Sequence, residues 1–194
     1  MAGRPRKFKE DEVIQKACDV FWEKGYAAAS SEDLLQAMNM GKGSFYLHFK
    51  DGKEELFKRT LDFRAKQSLQ KIRTRLAETN NKVEVLKSLF HERLNTEEYF
   101  KNYGCFLGNT IVEMSNLNAE LKELAAHYLK QLEQVFEEVI SEAQENKRIS
   151  STKPPRFIAR YLINIWNGMN ITKRMNGSND ILKEVVGLQL QILD

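Results

Sequence analysis

With 194 residues the chain has room for one small domain and one of medium size, not for two large ones. Hydrophobic residues at 42% and charged residues at 29% supply a sizeable core and exclude a chain that is disordered throughout. The net charge of +3 is too small to imply a nucleic-acid partner by itself, so where the charges lie matters more than their sum.

Residues 1–9 carry Arg4, Arg6, Lys7 and Lys9 and no acid. Gly3-Arg4-Pro5-Arg6 has the make-up of an arm that lays arginines in a narrow, electronegative minor groove. A disordered basic tail is the other reading, and both hold for an arm that orders only on binding. Glu10-Asp11-Glu12 then opens a helix with acids at its positive end. Val13, Ile14, Ala17, Val20 and Phe21 repeat at three and four, and Lys24-Gly25 closes the helix with a cation and a glycine cap. Ser30, with Asp33 three residues on, is a capping-box start for a second helix whose Leu34, Leu35 and Met38 share a face. Asn39-Met40-Gly41 breaks it, and a third, short helix follows from Lys42. There Phe45 and Phe49 point inward with Met40, leaving Lys42, Gly43, Ser44, Tyr46, Leu47 and His48 outward.

Two short helices joined by a tight glycine-containing turn predict a helix-turn-helix. No carboxylate occurs between Asp33 and Asp51. A surface meant only for water mixes both signs of charge, whereas one meant for a phosphate backbone keeps acids away and offers donors.

Beyond Asp51-Gly52 the pattern turns to long helices. Lys53 to about Glu78 reads as one helix that begins against the reading pair and ends in the second domain. Thr79-Asn80-Asn81 breaks it, and an amphipathic helix follows from Val83 to Leu94. A short apolar helix runs through Phe106, Leu107, Ile111 and Met114, and Asn118 caps a long one to about Asn146. After the loop Ser150–Pro155, the last two helices span Phe157–Met175 and Asp180–Leu193. Gly168 and Gly187 lie inside them at a cost of ~1 kcal/mol each, which close approach of another helix would explain. Packing on their own domain is the alternative. The fold class is all-α, with a DNA-binding domain over 1–52 and a helical domain over 53–194. Cys18 and Cys105 fit free thiols in a reducing, cytoplasmic setting, and no apolar run approaches the ~20 residues of a membrane span.

Phe21, Gly25-Tyr26, Ser30, Asp33-Leu34, Lys42-Gly43-Ser44-Phe45-Tyr46, His48-Phe49 and Lys53-Glu54-Glu55-Leu56 together resemble the DNA-binding domain of the TetR (tetracycline-repressor) family of bacterial regulators. The likeness is strong over about Phe8 to Phe57 and architectural beyond. It implies a ligand-responsive regulator, most often a repressor, that reads a pseudo-palindromic operator in double-stranded DNA as a homodimer built on its last two helices. Carried over onto this chain, it implies DNA contacts by Ser30, Ser31, Lys42, Ser44, Tyr46, His48 and Lys53, beside Arg4 and Arg6 of the arm. Gly43 lets the reading helix come close, and Lys42 is the candidate for a guanine edge. Three positions depart from the family pattern: Ala29, Asn39-Met40 in the turn, and Gly52 as an additional residue before Lys53. The resemblance also implies an apolar or amphipathic small-molecule inducer among the later helices. Phe63, Phe90, Tyr103, Phe106, Asn109, Met114, Tyr128, Trp166, Met169 and Asn170 are the candidate lining, and the amides of Asn109, Asn167 and Asn170 need partners.

No enzyme chemistry stands out. Gly41-Lys42-Gly43-Ser44 has the wrong spacing for a phosphate loop, and G-x-S-x-G, H-E-x-x-H and paired cysteines at metal spacing do not occur. His48, His91 and His127 fall on separate helices, so neither a metal nor a cofactor is expected. The competing reading is a helical small-molecule carrier or interaction protein that does not bind DNA, against which the donor-rich third helix argues. An activator remains open beside the repressor.

Overall fold

A computed structural model describes residues 9–95, 103–175 and 180–194. Among them the regular structure is helical throughout: α1 (Glu10–Lys24), α2 (Ser31–Met38), α3 (Lys42–His48), α4 (Gly52–Ala77), α5 (Lys82–Asn95), α6 (Phe106–Met114), α7 (Ala119–Glu145), α8 (Pro155–Thr172) and α9 (Asp180–Leu190), closed by a 3-10 turn over Gln191–Leu193. No described helix is long and apolar enough to cross a membrane. The chain divides into two compact units, residues 1–66 and 67–194, so the division falls inside α4 rather than at its start.

In the first unit the expected stops and starts are made by the expected chemistry. Gly25 ends α1 at φ 82, with its N–H on the Phe21 carbonyl. Ser30 caps α2 by accepting the Asp33 N–H at 3.0 Å, and Asp33 takes the Ser30 N–H in return. In the turn it is Asn39, at φ 51, that adopts the left-handed conformation; Gly41 is extended at φ −77 and supplies no special dihedral. Phe45 and Phe49 are buried, and Met40 is only half-buried. Leu56, Phe57, Thr60 and Leu61 of α4 are buried as well, and Phe57 meets Phe21 edge-on at 4.8 Å. That packing is why the first turns of α4 belong with α1–α3.

The second unit closes over Phe90, Phe136, Ile140, Ile158, Leu162 and Val186, drawn from α5, α7, α8 and α9. Removing one such ring costs ~3–5 kcal/mol. Asn118 caps α7 by accepting the Leu121 N–H at 3.0 Å. Proline opens α8, where its missing N–H costs nothing. The last two helices stop earlier than their apolar pattern predicts, α8 at Thr172 and α9 at Leu190.

Candidate nucleic-acid interface

The capping box of α2 does more than start a helix. Lys24 at the end of α1 donates to Asp33 at 2.6 Å, so one carboxylate caps α2 and ties it to α1. These hydrogen bonds, Lys24 first and then Ser30, hold the Asp33 carboxyl down at about 2. Ser30 also donates its hydroxyl to Asp33 at 2.8 Å, while Ser31 stands exposed beside it.

Behind α3 lies a residue that the sequence pattern does not single out. Arg59 of α4 donates to Glu10 at 2.6 Å, to Glu55 at 2.6 Å and to the His48 carbonyl at 3.4 Å. Its guanidinium sits 5.2 Å from the centre of the Phe49 ring. Glu55 in turn accepts the Asp51 N–H at 3.1 Å, the bond that does most to lower its pKa. The end of α3 is thus braced from α1 and α4 by side chains far apart in sequence. Glu55 and Arg59 are four apart on one helix, a spacing that sequence does show, but nothing in the spacing marks the reach of Arg59 to Glu10 or to the His48 carbonyl.

On the outward side, Lys42, Gly43 and Ser44 are exposed, Tyr46 is 50% exposed and Leu47 74%. His48 is half-buried. An open cleft of about 780 Å³ runs between α2 and α3, lined among others by Ser31, Leu35, Gln36, Met40, Lys42 and Tyr46. Gly52 takes φ +65, and a side chain there would meet the Tyr46 ring at 3.6 Å, so the additional residue is absorbed as the first residue of α4. Lys53 is half-buried, 4.7 Å over the Tyr26 ring and 3.4 Å from the Ala27 carbonyl. Ala29 is wholly buried, so that position packs here. Arg4 and Arg6 lie outside the described residues.

The candidate effector residues are spread over both units. Phe63 is half-buried in the first. In the second, Phe90, Phe106, Met114, Tyr128, Met169 and Asn170 are buried, and Tyr103, Asn109 and Trp166 are half-buried. Phe90 and Trp166 meet edge-on at 5.6 Å. Two of the amides are satisfied within the protein. Asn109 donates to the Tyr103 carbonyl at 2.6 Å; Asn170 accepts from Arg93 at 2.7 Å and donates to the Trp166 carbonyl at 2.7 Å. Among the described residues, the buried polar side-chain atoms without a partner are Trp166 Nε1 and Asn167 Oδ1. Asn167 Oδ1 lies 3.6 Å from where a side chain on Gly108 of α6 would begin. Among the described residues no cluster of His, Cys, Asp and Glu is placed to hold a metal ion.

A second surface is apolar and bare. On α8, Phe157, Gly168 and Ile171 are exposed, and on α9 Ile181, Val185 and Leu188. Between these helices lies a groove of about 540 Å³ lined by Tyr161, Ile165, Thr172, Leu182 and Val185 among others. At Gly168 and Gly187 nothing lies within 4 Å of where a side chain would begin.

Sequence comparison matches the two parts of the chain to two family descriptions. Residues 13–60 match the family described as "Bacterial regulatory proteins, tetR family", and residues 82–187 match "Tetracyclin repressor-like, C-terminal domain". The HTH-type transcriptional repressor DhaR of Mycobacterium sp. (strain GP1) is 26% identical over 182 residues, covering 93% of this chain and 90% of its own. The HTH-type transcriptional repressor ComR of Escherichia coli K12 is 25% identical over 210 residues, covering 98% and 91%. Among solved structures, the TetR family regulator CifR, a cysteine mutant complexed with 26-bp double-strand operator DNA, shares the fold at a TM-score of 0.80 with 22% identity, covering 98% of this chain and 100% of that one.

Proposed function

The chain belongs to the TetR family of bacterial regulatory proteins, and from that membership we propose that it is a homodimeric transcriptional repressor released from operator DNA by a small-molecule effector. The observation that carries the DNA half of this reading is the outer face of α3. Lys42, Ser44 and Tyr46 stand exposed over the buried pair Phe45 and Phe49, on a stretch from Leu34 to Lys50 without a carboxylate. Each protomer lays α3 in a major groove, and two protomers read half-sites one or more turns of ~34–36 Å apart. Lys42, Ser44 and Tyr46, with Ser31, His48 and Lys53 at the margins and Arg4 and Arg6 on the arm, position the protein on phosphates, and Gly43 lets α3 come close. Ser30 contributes chiefly through the cap it makes.

Dimerisation uses the exposed apolar faces of α8 and α9, whose interior glycines leave room for a partner's helices. The effector binds in the second unit. The amides of Asn109 and Asn170 are already paired within the protein and offer it no first hydrogen bond. Trp166 Nε1 and Asn167 Oδ1 are the polar groups that await a ligand. An effector that accepts from the indole and donates to the amide fits them, on an otherwise apolar lining from Phe90, Phe106, Met114, Tyr128 and Met169, with Tyr103 beside it. Phe63 belongs to α4 of the first unit and follows the movement of that helix. A hundredfold loss of operator affinity requires only ~2.7 kcal/mol of coupling. Likeness to repressors over nearly their whole length supports a cytoplasmic protein without enzyme activity.

The test is a titration of mixed duplex DNA at several salt concentrations. A DNA-binding regulator loses affinity steeply as salt rises, by a slope of ~0.9 per neutralised phosphate. A carrier that ignores DNA gives no saturable binding at any salt.

A further inference from the structure

Leu47 is out of character on the outer face of α3. It is 74% exposed, and with Tyr46 it makes up the large apolar or aromatic exposure of the described first unit. A lone exposed leucine is ordinary on a protein surface. Here, however, it stands on a seven-residue helix that carries Lys42, Ser44 and His48 and no acid. A helical side chain leans toward the preceding turn, and the residue one turn before Leu47 is Gly43. Nothing lies within 4 Å of where a Gly43 side chain would begin. Leu47 therefore forms an exposed aliphatic knob one turn from a bare position, flanked by hydrogen-bond donors.

In the major groove, one base-pair edge matches that pattern. Thymine presents a C5-methyl group beside the O4 acceptor, and apolar side chains read it by contact with the methyl. We propose that Leu47 is a specificity-determining residue that recognises one thymine in each half-site through its methyl group. The proposal rests on α3 entering the major groove. It differs in kind from the phosphate contacts around it, because phosphates position the protein whereas a methyl group identifies a base.

The experiment uses the full-length protein and its Leu47→Ala variant, both checked for helical content by circular dichroism. Duplexes are selected by the wild type from a randomised 30-bp library. Each thymine of the enriched half-site is then replaced in turn by uracil, which removes the methyl and nothing else. The expected result is one thymine per half-site at which uracil weakens wild-type binding about fourfold, the value of one buried methyl group, and about fifteenfold when both half-sites are changed. In Leu47→Ala that penalty disappears. Indifference to uracil at every position, or a penalty that survives in Leu47→Ala, overturns the proposal while leaving DNA binding intact. Failure to enrich any duplex removes the DNA-binding reading itself, and this inference with it.

Discussion

Arg59 and Glu10, 49 residues apart, are joined at 2.6 Å, and the same guanidinium reaches the carbonyl at the end of the reading helix. The brace acts on the aim of α3 rather than on the survival of the fold, because Arg59 is 39% exposed and an exposed ion pair contributes ~0–1 kcal/mol.

Arg59→Met keeps a long apolar side chain at this position and removes the hydrogen bonds and the charge over Phe49. The melting temperature should move by only a few degrees, while affinity for a selected duplex falls several-fold with an unchanged salt slope. Every phosphate-binding side chain is still present in this variant. A slope that falls together with affinity would place Arg59 on the DNA instead.

Asp33 predicts a pH dependence of stability. Its folded-state carboxyl is held at about 2, below the ordinary value of 3.8, by Lys24 and Ser30. A depressed acid contributes stability that is complete above the unfolded value and is lost as pH falls through the folded one. Asp33→Asn should therefore melt below the wild type at pH 6, and the gap should close between about pH 4 and pH 2. Thermal unfolding followed by circular dichroism reads it. A gap of constant size over that range would show that the charge is not what stabilises the junction of α1 and α2.

Gly168 separates protomer stability from assembly. The first carbon of a side chain there meets nothing within 4 Å, and leaving glycine in a helix interior costs ~1 kcal/mol. Gly168→Leu should keep full helical content and yet sediment as a monomer at micromolar concentration, where the wild type sediments as a dimer. A variant that remains dimeric would move the interface away from this face of α8.

The two thiols should differ sharply. Cys18 is wholly buried, and burial pushes its thiol up to about 12, whereas Cys105 is half-buried at the start of α6. At pH 8 the native protein should release one equivalent of colour from a thiol reagent, and Cys105→Ser none. Both cysteines of the wild type should react in denaturant. A native Cys105→Ser variant that still reacts promptly would mean that α1 opens readily.

Much of this was written locally in the chain. The capping box at Ser30 and Asp33 and the asparagine cap at Asn118 involve neighbours three residues apart, so spacing alone revealed them. The inward pair Phe45 and Phe49 followed from helical period in the same way. What escaped were relations between distant residues. Nothing about Arg59 as a residue type tells that Glu10 is its partner. The turn after α2 needed one left-handed residue, and sequence offered both Asn39 and Gly41 without saying which would take it. Among the three amides singled out, composition could not tell that Asn109 and Asn170 find carbonyl and guanidinium partners while the oxygen of Asn167 does not.

The claim on which the account turns is that the outer face of α3 grips duplex DNA, and one measurement meets it directly: equilibrium binding of the selected duplex to wild type and to the Lys42→Ala/Tyr46→Ala double variant over a salt series. The account predicts binding at least about tenfold weaker in the variant, with the salt slope lowered by ~1 for each lysine–phosphate pairing that the substitution removes. Equal affinity and equal slope, in a variant with unchanged helical content, would contradict it.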